Sequence, residues 1–292
     1  MENDDEPVGR VLSRREAVKL LALTGSVGMM GARWPRALSG TTRAREVALP
    51  GCIVRPELTE GPYFVDHRLN RSDIRGEAGG AAIKAGVPLS LVFNIAQVTN
   101  RQCAPLAGAI VDVWHCDAAG TYSGVNDGMV GFNTVGKQYL RGFQTTDANG
   151  VARFSTIYPG WYQGRAVHIH FKIRTAVPTA VSGSATRSYE FTSQFFFDDA
   201  LSDKIFANGP YAAKGKRDLR NADDGIFRES RGQLLLAAAP SGNGYASSFD
   251  LGLDLSDEKV GAPDGGGGRG GPGGPPPFGR GRGRGGPPPR GP

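Results

Sequence analysis

Val167-His168-Ile169-His170-Phe171-Lys172-Ile173-Arg174 alternates apolar and polar side chains without a break. A strand turns successive side chains to opposite faces. The stretch therefore predicts a strand with Val167, Ile169, Phe171 and Ile173 on a core and His168 and His170 together on the other face. Outward from it, Leu89, Leu91, Phe93 and Ile95 alternate, and so do Ala109, Val111 and Val113, bounded by Gly108 and by Ala118-Ala119-Gly120. Asp147-Ala148-Asn149-Gly150 reads as a hairpin-type turn between strands over 138–145 and 151–157. A further strand is expected over 188–197. Helical periodicity is weak and confined to 199–206 and a stretch around 218–227. Short strands with turn signals between them predict an all-β fold, a β-sandwich of mixed or antiparallel sheets with long loops and a few short helices.

The ends of the chain differ from this middle. The 292 residues include 44 Gly and 20 Pro, and 15 of the Gly and 9 of the Pro lie in 261–292. Such a segment cannot bury an apolar core, and it lacks the every-third-Gly period of collagen. The net charge of +6 resides in 1–46 and 261–292, which leaves the middle neutral. Nucleic-acid binding, which a basic surface would favour, thus gains no support for the folded part. Arg280-Gly281-Arg282-Gly283-Arg284-Gly285-Gly286 fits either a single-stranded nucleic-acid binder or a solvated tether, and the tether is preferred here. No apolar run reaches the roughly 20 residues of a membrane span.

Ser13-Arg14-Arg15-Glu16-Ala17-Val18-Lys19 sets two arginines before the apolar stretch 20–30. This pattern resembles a bacterial twin-arginine export signal, with a short amphipathic helix as the alternative. The expected organisation is an export signal and linker over 1–46, a β-sandwich domain over 47–260 and a Gly/Pro/Arg-rich tail over 261–292. The expected location is periplasmic or secreted. Three cysteines suit an oxidising compartment. Cys103 is expected in a loop before the strand that ends near Cys116, and that strand would hold the two apart. The expected bridge is Cys52–Cys103, then Cys52–Cys116, with three free thiols as the alternative.

The chain has four histidines, His67, His115, His168 and His170. Two imidazoles on one strand face form a ready pair of metal ligands. Alone, the H-x-H pattern is a weak signal that more often marks a polar strand face. Just upstream, Tyr158-Pro159-Gly160-Trp161-Tyr162-Gln163-Gly164-Arg165 brings a phenol and a guanidinium close to the pair. Trp114-His115-Cys116-Asp117-Ala118-Ala119-Gly120-Thr121-Tyr122-Ser123 brings a second phenol past a strand end. The set implied is two phenols and two imidazoles. A phenol ionises at a pKa of about 10, but a trivalent cation holds it deprotonated at neutral pH. Two tyrosinates and a hydroxide balance Fe(III), whereas zinc prefers Cys, His and carboxylate.

These residues resemble the intradiol ring-cleavage dioxygenases, and within them the secreted, single-domain intradiol dioxygenase-like group. The stretches that carry the likeness are Thr59-Glu60-Gly61-Pro62-Tyr63-Phe64, Arg71-Ser72-Asp73-Ile74-Arg75, residues 109–123, Arg141-Gly142-Phe143-Gln144-Thr145-Thr146-Asp147 and residues 154–171. The resemblance implies Fe(III) held by Tyr122, Tyr162, His168 and His170. It implies Arg165 and Gln194 near the reacting centre, with Tyr162 also acting as a base. It implies Gly61, Pro62 and Tyr63 along the substrate pocket. The implied reaction opens a catecholic ring with O2 to a cis,cis-muconate-type product. Relative to the cytoplasmic catechol dioxygenases, the insert between Tyr162 and His168 is short and an N-terminal helical dimerisation segment is lacking. The quaternary state, a homodimer among the options, therefore stays open.

Other residues read more plainly. His115 is expected to be structural, His67 to lie at the surface, and Tyr63 to pack rather than ligate. Glu60 either orders the pocket loop or caps a turn. The competing function is a non-catalytic exported β-sandwich that binds aromatic or cell-envelope ligands, for which the four ligand side chains should be scattered. A divalent-metal hydrolase using H-x-H ranks last, because no nearby carboxylate base accompanies it.

Overall fold

A computed structural model describes residues 53–80, 83–99, 102–178 and 186–256. The expected export signal, the Gly/Pro/Arg tail and Cys52 lie outside the described residues. In chain order the strands are β1 (Pro88–Thr99), β2 (Gln102–Pro105), β3 (Ile110–Trp114), β4 (Asn126–Asp127), β5 (Phe132–Asn133), β6 (Arg141–Thr145), β7 (Val151–Ile157), β8 (His168–Pro178) and β9 (Thr186–Phe197). They continue with β10 (Leu235–Leu236), β11 (Ala239–Ser241) and β12 (Gly244–Leu253). Two short helices, α1 (Asp199–Phe206) and α2 (Gly225–Glu229), follow β9. No described helix is long and apolar enough to cross a membrane.

The strands form a sandwich of two five-stranded sheets, plus a small β4–β5 ribbon. In the first sheet β1 pairs in parallel with β12 and antiparallel with β2 and β7, so the sheet is mixed. The second sheet runs β10-β9-β8-β3-β6. The alternation read from the sequence explains their union. Leu89, Leu91, Phe93 and Ile95 are buried on β1, and Ile169, Phe171 and Ile173 are buried on β8. Phe93 meets Phe171 across the sheets with ring centroids 5.6 Å apart, and Phe195 of β9 lies 4.3 Å from Phe249 of β12. These rings bury large apolar areas at edge-to-face angles.

Five expectations change. The turn at Asp147–Gly150 exists, with Gly150 N–H donating to Asp147 O at 2.9 Å. It does not close a hairpin, because β6 joins β3 in the second sheet while β7 joins β1 in the first. The hydrogen bond from Ile95 N–H to Gly150 O, at 2.8 Å, carries the chain across. The helix around 218–227 is broken: a single 3-10 turn (Asn221–Asp223) and α2 are separated by Asp224, whose backbone is extended. Cys103 sits in strand β2, not in a loop, where it opposes Val98. It is disulfide-bonded, and Cys116 is a free buried thiol, so the Cys52–Cys116 option falls. His67, expected at the surface, is half-buried against Gly124, and its Nε2 has no hydrogen-bond partner.

Candidate functional site: a tyrosine–histidine centre

The site lies on the outer face of the second sheet. On β8, His168 and His170 point away from the core; β3 brings Trp114 opposite His170, and β9 brings Gln194 opposite it on the other side. Trp114 stacks on the His170 ring at 5.0 Å and 8°. Segment 53–66 lies across this face, with Leu58 N–H donating to Thr192 O at 3.0 Å and Ser193 Oγ donating to Pro56 O at 2.9 Å.

Two loops deliver the phenols. After β3, Asp117 Oδ1 accepts from Ala119 N and Thr121 N, each at 3.0 Å, and this tight turn presents Tyr122. Gly120 has a φ of +80°, and a side chain there would run into the Trp161 carbonyl. That bare backbone lets the Tyr122 loop pack against the loop carrying Tyr162. Tyr122 Oη and Tyr162 Oη each lie 3.4 Å from His168 Nε2, and His170 Nε2 lies 3.0 Å from the same atom. The four expected ligands are therefore brought together. Metal–ligand bonds of about 2 Å place neighbouring donor atoms about 3 Å apart, so this spacing suits one shared cation.

The protonation pattern agrees. His168 Nδ1 donates to Ala166 O at 2.7 Å, which leaves Nε2 as a bare lone pair aimed inward. Burial and the nearby Arg165 push His168 down to about 3, and burial and His168 hold His170 well below the usual range, so both imidazoles are neutral. Burial raises Tyr122 well above its ordinary value and lifts Tyr162 to about 12 against the pull of Arg165. Without a cation these phenols keep their protons. Deprotonating two of them here calls for a strongly charged ion, and the donor set fits Fe(III). Among the described residues, no group of three or more His, Cys, Asp or Glu side chains could hold a metal, so the phenols are indispensable to any such site.

The surrounding residues fix this arrangement. Arg165 Nη2 donates to Gln194 Oε1 at 2.6 Å, and Gln194 Nε2 donates to Thr59 O at 2.8 Å. Burial opposes the charge on Arg165, but Tyr162 and Asp224 more than offset it, so the guanidinium stays protonated. Gly61, at φ +71°, lies so close that a Cβ there would sit 3.2 Å from His170 Cε1. Tyr63 stacks on Tyr122 at 4.5 Å and donates its hydroxyl to Asp127, while Pro62 between them is exposed. Tyr63 thus packs, as expected, and His115 is structural, bonded to Thr156 Oγ1 at 2.7 Å and to Cys116 O at 2.8 Å. Glu60 orders the pocket loop by pairing with Lys172.

Sequence reasoning missed Trp114 as the stacking partner of His170, Lys172 as the anchor of Glu60, and Asp224 as the carboxylate on Arg165 Nε, 2.9 Å away. Lys172 had a signal, since it shares the strand face of His168 and His170. Asp224 had a weaker one, as an Asp before a short helical stretch.

The comparisons with known proteins follow the same lines. The profile of a family described as Dioxygenase matches residues 59–219. A solved intradiol ring-cleavage dioxygenase from Tetranychus urticae is 29% identical, covers 72% of this chain and 100% of its own, and superposes with a TM-score of 0.57. A second solved dioxygenase is 31% identical, covers 70% of this chain and 95% of its own, also with a TM-score of 0.57. A chlorocatechol 1,2-dioxygenase from Pseudomonas putida is 34% identical over 39% of this chain and 46% of its own length. The chain thus spans about half the length of the curated relatives it matches. With its profile match covering more than half of the sequence, this chain belongs to the intradiol ring-cleavage dioxygenase family.

Proposed function

We propose that this chain is an Fe(III)-dependent intradiol dioxygenase that opens the ring of a catecholic compound with O2 to a cis,cis-muconate-type product. The observation that carries the reading is the convergence of two phenol oxygens and two imidazole nitrogens around one point. Tyr122, Tyr162, His168 and His170 would hold the ion. Bound there, ferric iron would supply Lewis acidity that withdraws electron density from the catecholate ring.

The protein side chains do the remaining work. Tyr122 is fully buried, whereas Tyr162 is partly exposed toward solvent. Tyr162 is thus the phenol that an incoming catechol reaches. Held as a phenolate by the ion, it would accept a substrate proton at Oη. Arg165 presents fixed positive charge beside Tyr162, which favours anionic states of the ring-opening substrate. Gln194 holds that guanidinium in place. The ring of Tyr63 over Tyr122 and the bare backbone of Gly61 against His170 close one wall of the pocket.

The same proposal includes export through the twin-arginine-type signal in 1–46, the catalytic domain over 47–260 and a tethering role for 261–292. The clustering of the ligands favours catalysis over a non-catalytic aromatic-binding sandwich. Oxygen uptake with a panel of substituted catechols, with product spectra, tests the reading. Stoichiometric uptake with muconate-type absorbance is expected. Extradiol products, or no uptake by iron-loaded protein across the panel, would overturn it.

A further inference from the structure

We propose that Asp224 is a positioning residue that aims Arg165 at the tyrosine–histidine centre and also secures the residue on which His168 is set. This rests on the reading of the centre given above. Asp224 lies beyond the span of the family match, which ends at residue 219. Its side chain is 1% exposed, yet it is the ion-pair partner of Arg165.

The carboxylate divides its two oxygens between two tasks. Oδ1 accepts from Ile226 N at 2.8 Å and Phe227 N at 3.1 Å and so caps α2. Oδ2 faces the site and accepts from Arg165 Nε at 2.9 Å and Ala166 N at 2.8 Å. The break between the 3-10 turn and α2 comes at Asp224, where φ is −80° and ψ 119°, and it lets one side chain serve both.

Two consequences follow at the centre. The guanidinium of Arg165 is gripped at Nε by Asp224 and at Nη2 by Gln194, so it has one orientation, toward Tyr162. Ala166 is held through its N–H, and its carbonyl is the acceptor for His168 Nδ1 at 2.7 Å. One buried carboxylate therefore governs the direction of the Arg165 guanidinium and the acceptor that sets a ligand tautomer. Neighbouring contacts reinforce this. Asp218 Oδ2 accepts from Gly164 N at 3.0 Å, and Lys214 lies over the Trp161 ring at 4.8 Å. The segment 211–227 is a strap behind the loop that bears Tyr162 and Arg165.

Asp224→Asn separates the two tasks. The amide oxygen can keep the cap, but the amide nitrogen then meets Arg165 Nε and Ala166 N, which are both donors. Asp224→Ser keeps the cap alone. For both variants the melting temperature should fall, because the buried Arg165 loses its ion-pair partner, while the protein still folds. The kcat per bound iron on catechol should fall about 100-fold, the order expected when one preorganised group loses its aim. KM should stay within about threefold, because the interaction acts in the transition state. A purely structural role would lower stability and iron content but leave kcat per bound iron unchanged. A folded Asp224→Asn protein with kcat per bound iron within about twofold of wild type overturns the proposal.

A second measurement needs neither turnover nor a variant. In metal-free wild-type protein the Arg165 Nε–H should give a resolved NMR signal protected from solvent exchange, and exchange as fast as in a free guanidinium would overturn the proposal. If the wild type fails to turn over any catechol, the functional reading fails while this signal still decides the role of Asp224.

Discussion

The two faces of strand β8 obey one alternation and serve opposite ends. On the inner face Ile169, Phe171 and Ile173 are buried against other hydrocarbon. On the outer face His168, His170 and Lys172 are buried nearly as deeply, at 2%, 1% and 4% exposure, but among polar and ionisable groups. Inner-face burial stabilises the fold directly. Burial of the outer face costs desolvation, which hydrogen bonds and ion pairs offset. Stability and function thus sit on opposite sides of one strand, and substitutions should separate them.

The largest effect is expected from His168→Ala or His170→Ala. Either should abolish iron retention and lower turnover more than about 1,000-fold, while the unfolding midpoint of the metal-free protein holds or rises once a buried imidazole is gone. Metal analysis and chemical denaturation of the same preparation check both halves.

Phe171→Ala is the mirror experiment. It should cost about 3–5 kcal/mol of stability through the cavity it leaves among Phe93, Phe195 and Phe249. Iron per folded molecule should change little. Urea unfolding measures the first and metal content of the folded fraction the second.

Acid offers a third separation. His115, held at about 4 mainly by burial, and His168, at about 3, are neutral in the fold but take up protons in the unfolded chain below about 6.5. Their folded values are depressed, so the unfolded state binds more protons between about 6.5 and those values. The metal-free protein should therefore lose stability as pH falls through that window, by roughly 1.4 kcal/mol per pH unit for each group. Denaturant midpoints measured from pH 7 to pH 4 give the slope. Bound iron should steepen it near neutral pH, because unfolding would return protons to both tyrosinates.

The smallest effect is expected from Lys172→Met. It removes the partner of Glu60 and frees the loop that carries Gly61 and Tyr63. KM for catechol should rise about 5–10-fold with kcat nearly held, as expected for a wall that binds ground and transition states alike. Steady-state kinetics at fixed iron content checks it.

Much of this contrast is legible in the sequence, for a physical reason. Strand alternation fixes which side chains share a face, so the pair His168 and His170 and the inner row on β8 follow from local order alone. The two phenols follow because each lies in a loop just before or after a strand of that face. What escaped depends on distant chain. Asp224 meets Ala166 across 58 residues, and nothing local to either announces the contact. The turn at Asp147–Gly150 has hairpin chemistry, yet sheet membership is decided by what β6 and β7 find as partners. The strand β12 shows alternation at Ser247, Phe249, Leu251 and Leu253, but its serines and glycines mute the signal, and its parallel pairing with β1 closes the sheet from the far end of the domain.

The central claim is that both phenols bind one ferric ion as tyrosinates. Visible absorption of the iron-loaded protein, compared with iron-loaded Tyr122→Phe and Tyr162→Phe, tests it most directly. The wild type should be burgundy from tyrosinate-to-iron charge transfer, and each variant should lose part of that band at equal iron content. A colourless iron-loaded wild type, or variants with an unchanged spectrum, would contradict the account.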